Sequence, residues 1–390
     1  MNLLSESSTS RRGGNASSTG ARPLKVLHVG KFYPPHMGGI ETHLQALSEE
    51  LTKSIDLRVM VASDGRCTVE EIRGGVPVLR VSTPLRLASA PICPNMAARI
   101  RSSDADIVHI HLPNPGAVLA YLASGHRGRL VCTYHSDTLR QRVLGVLFGP
   151  FLNAALRRSS AIIATSPRYL ETSRVLAAHR DRCHVIPYGI DTRQFESCDP
   201  AAAARLRQQY GERLVISVGR FVYYKGFEYL IRAMAKVNGK LILAGNGPLR
   251  RELENLAAQL GIRERVIFAG EVQNAEIAPY YHAADVFTLA SVVRTEAFGI
   301  VQIEAMAAGL PVVNTSLDSG VSYVSLDQQT GLTVPPRDVD ALAAALNRLL
   351  DDAELRKRLG QAGVRRAQQE FSLQSMVTRT LRLYHSIADD

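Results

Sequence analysis

From Leu24 onward the chain repeats one pattern: a short run of Val, Ile and Leu, a turn, then a stretch with apolar residues at helical spacing. Strands are predicted at LKVLHVG (24–30), LRVMVAS (57–63), ADIVHIH (105–111), RLVCTYH (129–135), AIIATS (161–166) and CHVIPYG (183–189). After DTRQFESCDPAAAARLRQQYG (191–211) the alternation resumes with RLVISVG (213–219), KLILAG (240–245), RVIFAG (265–270), VFTLAS (286–291) and LPVVNT (310–315). Near-continuous apolar strands alternating with helices indicate parallel sheets covered on both faces. The pattern predicts an α/β chain with two Rossmann-like domains, at 22–190 and 212–368, joined by a linker at 191–211. In the final segment, 369–390, Leu373, Met376, Val377, Leu381, Tyr384 and Ile387 recur at 3–4 spacing, which predicts one amphipathic helix. Two such domains face each other with their strand carboxyl ends, and therefore any ligand site, at the cleft.

Composition narrows the class. A length of 390 residues suits two domains with a core each. The longest apolar runs, such as VLGVLFGPFL (143–152), are too short to span a bilayer. Residues 1–21, rich in Ser, Gly and Arg, read as a disordered tail without the apolar centre of a signal peptide. Cys67, Cys93, Cys132, Cys183 and Cys198 form no CxxC pair. They argue against a zinc site or disulfide framework and for a reducing, cytoplasmic compartment. The formal net charge of +10 favours a polyanionic partner: nucleic acid, anionic membrane or a phosphate-bearing substrate. Scattered cations and no nucleic-acid motif count against the first.

Three stretches carry candidate chemistry. Gly38 and Gly39 follow the first strand and open a predicted helix from about Ile40 to Leu51. A plain turn and an anion-binding loop both fit them. Arg220 and Lys225 sit just past a strand's carboxyl end, where two cations suit a diphosphate better than they suit open solvent. In TEAFGIVQIEAMAAGLPVV (295–313), Glu296 and Glu304 lie in an otherwise almost uncharged segment. A helix starting near Phe298 would leave the N–H groups of Phe298, Gly299, Ile300 and Val301 unpaired and aimed at a phosphate. It would separate the two glutamates by roughly 12 Å along its axis, comparable with the reach from sugar to ribose in a nucleotide sugar. Carboxylates that bind sugar hydroxyls are not buried unpaired.

TEAFGIVQIEAMAAGLPVV resembles the E-x7-E signature of retaining glycosyltransferases of the GT-B fold, specifically glycosyltransferase family 4. The resemblance extends from about residue 23 through HIHLPNP (109–115), TYHSD (133–137), VIPYGID (185–191), VGRFVYYKGF (218–227) and LAGNGP (243–248). It is nearest to bacterial enzymes that build lipopolysaccharide, capsule or exopolysaccharide. It implies that Glu296 binds the donor sugar, Phe298 to Val301 supply backbone contacts, Glu304 holds the ribose, and Arg220 and Lys225 neutralise the diphosphate. It further implies that Gly38 and Gly39 face the diphosphate, Val272 contacts the base, His135 approaches the reacting sugar, and the last helix crosses back to the N-terminal domain. The implied donor is a nucleotide diphosphate sugar, GDP-mannose before UDP-hexose. The implied acceptor is a glycan, or a glycan on polyprenyl diphosphate at the inner face of the membrane. Glu296→Ala or Lys225→Ala is expected to remove transfer and leave the fold intact. A nucleotide-sugar epimerase on the same fold would act without an acceptor.

No obligatory metal or other cofactor is expected. His109 and His111 face one side of a strand, but no third ligand is evident, and a cleft wall is the simpler expectation. Asp104 and Asp106 imitate a DxD metal motif, yet they start a strand rather than end one, as a turn would. In TLRQRVLGVLFGPFLNAALRRSS (138–160), Arg140, Arg142, Arg157 and Arg158 flank an apolar run. Both a membrane-facing surface and a core helix with charged ends fit it, and the basic charge tilts towards the membrane.

Overall fold

The computed structural model describes residues 22–36, 38–87, 90–136 and 142–389; the expected tail at 1–21 lies outside them. Its strands are β1 (Lys25–Val29), β2 (Asp56–Ala62), β3 (Val69–Arg73), β4 (Val76–Val81), β5 (Leu85–Leu87), β6 (Ala90–Ile92), β7 (Ile107–Leu112), β8 (Arg129–Tyr134), β9 (Ser159–Ala164) and β10 (Cys183–Val185) in the first half. The second half has β11 (Leu214–Val218), β12 (Lys240–Ala244), β13 (Val266–Gly270), β14 (Val286–Leu289), β15 (Val312–Thr315) and β16 (Gly331–Val334). Every predicted strand is present. Strands β3, β4, β5, β6 and β16 are additional to those predicted; β3 is a charged, largely exposed edge strand paired antiparallel to β4, so its composition reads as loop.

The first sheet has the order β10-β9-β8-β7-β1-β2-β4-β3, and the second β13-β12-β11-β14-β15-β16. All pairs except β3–β4 in these two sheets are parallel. Side-chain alternation sends Val26 and Leu27 into separate clusters on the two faces of the first sheet, and Val215 and Ile216 do the same in the second. In each sheet the chain winds outward from one central strand, then returns to its other side. The order therefore reverses between β1 and β7, and between β11 and β14. At such switch points the connections diverge and leave a crevice beyond the strand carboxyl ends.

The last helix, Leu373–Asp389, buries Met376, Val377, Leu383, Tyr384 and Ile387 in the same cluster as Val26, Leu44 and Val59 of the first half. Ile190 N–H donates to the Phe371 carbonyl and Leu373 N–H to the Ile190 carbonyl, which pins the crossover. In the helix Arg142–Arg158, Ala155 and Leu156 are buried in the core, Phe148 and Leu152 pack against it, and Phe151 is exposed. This half is a core helix with Arg157 and Arg158 exposed at its end. Arg140 lies outside the described residues. No helix among the described residues is long and apolar enough to cross a membrane.

Candidate active site

A cavity of about 530 Å³ opens at the carboxyl ends of β11 and β12, lined by Gly219, Arg220, Gly245, Asn246, Gly247 and Val272, among others. Arg220 and Val272 are thus together, as expected. Gly219, Gly245 and Gly247 form the floor, and sequence reasoning assigned none of them a role. Their signal is local: each follows an apolar strand at the position where backbone must approach a ligand.

Lys225 closes a short 3-10 turn, Tyr223–Lys225, ahead of the helix Phe227–Met234. Its Nζ lies 2.6 Å from Oε2 of Glu296, with the side chains only 13% and 10% exposed. Ser291 Oγ donates to the same oxygen at 3.2 Å. Burial pulls the Lys225 ammonium down, but the Glu296 carboxylate outweighs it, with Tyr224 and Glu304 adding, so its pKa stands above the ordinary lysine value. Atoms of the Lys225 side chain also run past Gly219, which joins this pair to the cavity. Both side chains are buried, so removing either partner would strand a charge and is expected to cost stability as well as transfer.

Glu304 takes a hydrogen bond from the Tyr281 hydroxyl at 2.7 Å. Burial raises its carboxyl above the usual range, and the Tyr281 bond and Lys225 only partly offset this. The helix carrying it is Val301–Ala307 and does not start near Phe298. Gly299, at φ +76°, breaks the helical path, so Glu296 stands in the preceding turn and the axial spacing inferred for the two glutamates does not apply. The N–H groups of Phe298, Gly299, Ile300 and Val301 still donate to no protein acceptor among the described residues. Phe298 itself is buried, edge-on to Tyr188 at 4.9 Å between centroids.

Tyr188 leads into the first half. Its hydroxyl lies 2.5 Å from His135 Nδ1, and His135 Nε2 lies 3.0 Å from His111 Nδ1. His135 is buried with both ring nitrogens engaged, so it reaches a sugar only by giving up one of these bonds. Gly38 caps the helix Gly39–Leu51 with extended backbone, and His43, one turn on, packs its ring on His135 at 5.1 Å and on Tyr188 at 4.8 Å. Both glycines therefore stand on the helix that borders His135. His43 has both ring nitrogens buried without a hydrogen-bond partner.

Two sequence expectations about metals change. His109 and His111 do share one side of β7, but they are buried rather than a cleft wall. Further imidazoles are present: nitrogens of His28, His109 and His111, and of His43, His111 and His135, lie within 4.8 Å of one another. Strand adjacency across the β1/β7 switch point, invisible in sequence spacing, brings them together. Asp104 and Asp106 lie in the irregular segment just before β7, not at a strand's carboxyl end, and pair with Lys25 and Arg22.

Two halves with parallel sheets, and a cavity at the strand carboxyl ends lined by Arg220 and glycine backbone, suit a phosphate-bearing ligand. A family model described as Glycosyl transferases group 1 matches residues 201–366, and one described as Glycosyltransferase Family 4 matches residues 37–194. O-antigen chain mannosyltransferase C of Escherichia coli is 29% identical over 370 residues, covering 94% of this chain and 99% of that protein. The GDP-mannose-dependent alpha-(1-6)-phosphatidylinositol monomannoside mannosyltransferase of Mycolicibacterium smegmatis is 32% identical over 360 residues, covering 87% and 92%. Among solved structures, Anabaena HepE in complex with UDP has a TM-score of 0.78 at 22% identity, covering 93% of this chain and 100% of that one. The chain belongs to glycosyltransferase family 4, and it is a glycosyltransferase of the GT-B fold.

Proposed function

We propose that the chain is a retaining hexosyltransferase in surface-polysaccharide biosynthesis. It moves a hexose from a nucleoside diphosphate sugar, GDP-mannose before a UDP-hexose, to a glycan or polyprenyl-diphosphate-linked glycan. The observation that carries this reading is the Lys225–Glu296 pair beside Gly219 of the cavity, which offers a cation and a carboxylate to one ligand. Arg220, Lys225 and the N–H groups of Phe298 to Val301 stabilise the leaving diphosphate, and Glu296 accepts from the sugar hydroxyls. Gly38 and Gly39 face the diphosphate from the other half, Val272 meets the base and Glu304 the ribose. The acceptor attacks on the face the diphosphate leaves, its proton passes to the leaving phosphate, and no metal is required. The names of the two mannosyltransferase relatives support the donor sugar, and one of them names GDP-mannose. The complex of Anabaena HepE with UDP keeps uridine as the second base.

A thermal-shift panel of GDP, UDP, ADP and their sugars, with magnesium and with EDTA, tests this. A selective rise with GDP or GDP-mannose that survives EDTA is expected. No rise with any nucleotide contradicts the donor site, and an epimerised sugar released without acceptor converts the reading to an epimerase.

Glu304 adds a pH prediction. Ribose hydroxyls need its carboxylate, so nucleotide affinity falls as pH drops through the raised pKa, earlier than for an ordinary carboxylate. Its effect on folding has the opposite sign: burial disfavours the charged form, so the stability it contributes is present at low pH and lost as pH rises through that value. Titration calorimetry from neutral to acid pH is expected to give a falling affinity for the wild type. A weaker but flatter profile is expected for Glu304→Gln, and parallel profiles would contradict the ribose role.

A further inference from the structure

Six hydrogen bonds run in one line through the β1/β7 switch point. Thr133 Oγ1 lies 2.7 Å from His109 Nε2, and His109 Nδ1 lies 2.5 Å from the Tyr384 hydroxyl. That hydroxyl lies 2.8 Å from His28 Nε2, and His28 Nδ1 lies 3.3 Å from His111 Nε2. His111 Nδ1 then meets His135 Nε2 at 3.0 Å, and His135 Nδ1 meets the Tyr188 hydroxyl at 2.5 Å. All seven side chains are buried. Burial holds the four imidazoles neutral, with His28 down to about 3 and the others also well below the ordinary range.

A neutral imidazole has one N–H and one lone pair, and a hydroxyl has one hydrogen. Each imidazole bonds on both sides, so it must donate to one neighbour and accept from the other; the Tyr384 hydroxyl could accept from both histidines, but its own buried hydrogen would then have no acceptor. The direction of any one bond then dictates all the others. Only two arrangements bond every interior hydrogen. Reading from Thr133, either every group donates forward and His135 carries its proton on Nδ1, or every group donates backward and the proton sits on Nε2. A metal held by these imidazoles would break the line, because both nitrogens of each are already engaged.

We infer that Thr133, His109, Tyr384, His28 and His111 act as positioning residues that set the tautomer and ring orientation of His135, and through Tyr188 the surface against Phe298. Tyr384 makes the last helix a structural part of that control. The kinetic consequence rests on the proposed role of His135 near the donor sugar; the tautomer coupling does not.

The test uses the full chain labelled with ¹⁵N-histidine, in which ring-nitrogen shifts report each tautomer. Wild-type His135 is expected in one tautomer. Thr133→Val removes the first link without changing size, and Thr133→Ser restores it. Val is expected to mix the His135 tautomers across four intervening groups, and Ser to return the single one. Tyr384→Phe cuts the line in the middle and is expected to have the same spectral effect. Turnover is expected to fall about tenfold in the Val and Phe variants, with KM for the nucleotide sugar little changed. His135 tautomers unmoved by either cut would overturn the coupling, even if activity fell. Stoichiometric zinc bound to the isolated protein and removed by EDTA with a change in these shifts would also overturn it. A tautomer shift with unaltered turnover would overturn the positioning role. If no donor supports transfer at all, the proposed function fails while the spectral result still stands.

Discussion

Lys225→Ala is expected to lower transfer by roughly 10²–10³-fold, the loss typical of removing a preorganised group that stabilises developing charge. It is also expected to destabilise the fold by about 3–5 kcal/mol, because the Glu296 carboxylate stays behind, buried and unpaired. The two effects separate in a second variant. Adding Glu296→Gln to Lys225→Ala removes the stranded charge while keeping an acceptor for Ser291 Oγ. The double variant is expected to regain most of the lost stability in urea unfolding and none of the lost transfer. Near-normal turnover by Lys225→Ala would remove Lys225 from the site. Equal stability of the single and double variants would mean that solvent reaches Glu296 freely, contrary to its 10% side-chain exposure.

Gly245→Ala is the second large effect. Gly245 has φ +142°, and an added Cβ would stand 2.1 Å from the Gly219 carbonyl oxygen. The obstacle is backbone at the neighbouring strand's end, which cannot rotate away. Backbone strain of about 1–3 kcal/mol adds to overpacking of similar size. The two strand ends would part, and with them the floor of the cavity. At least a tenfold loss of nucleotide affinity is expected. Gly261→Ala is the matched control: φ is +68°, but nothing lies within 4 Å of the added carbon. It is expected to cost stability alone. Equal nucleotide affinity for wild type and Gly245→Ala in calorimetry would show that ligand does not use this floor.

Much of the site is legible in the sequence. Arg220 and Lys225 follow an apolar strand and precede a helix, a local arrangement that marks a strand carboxyl end. The start of the helix after Glu296 is not legible, because apolar spacing through Phe298 and Ile300 imitates helical period while Gly299 adopts a positive φ. Nor is β3, because its exposed edge carries glutamates where a buried strand would carry valine.

Local periodicity by itself determined the α/β class, the parallel strands, the amphipathic last helix and the cations at strand ends. These depend on backbone hydrogen bonding and on which side of an element meets water, and both leave a repeat of two or three to four residues in the chain. Strand order decided the rest. Lys225 meets Glu296 because β11 and β14 are neighbours, and His28 meets His111 because β1 lies beside β7. Tyr384 joins His28 across 356 positions only when the last helix folds back. Such contacts follow from which surfaces bury each other, and no spacing along the chain records that choice.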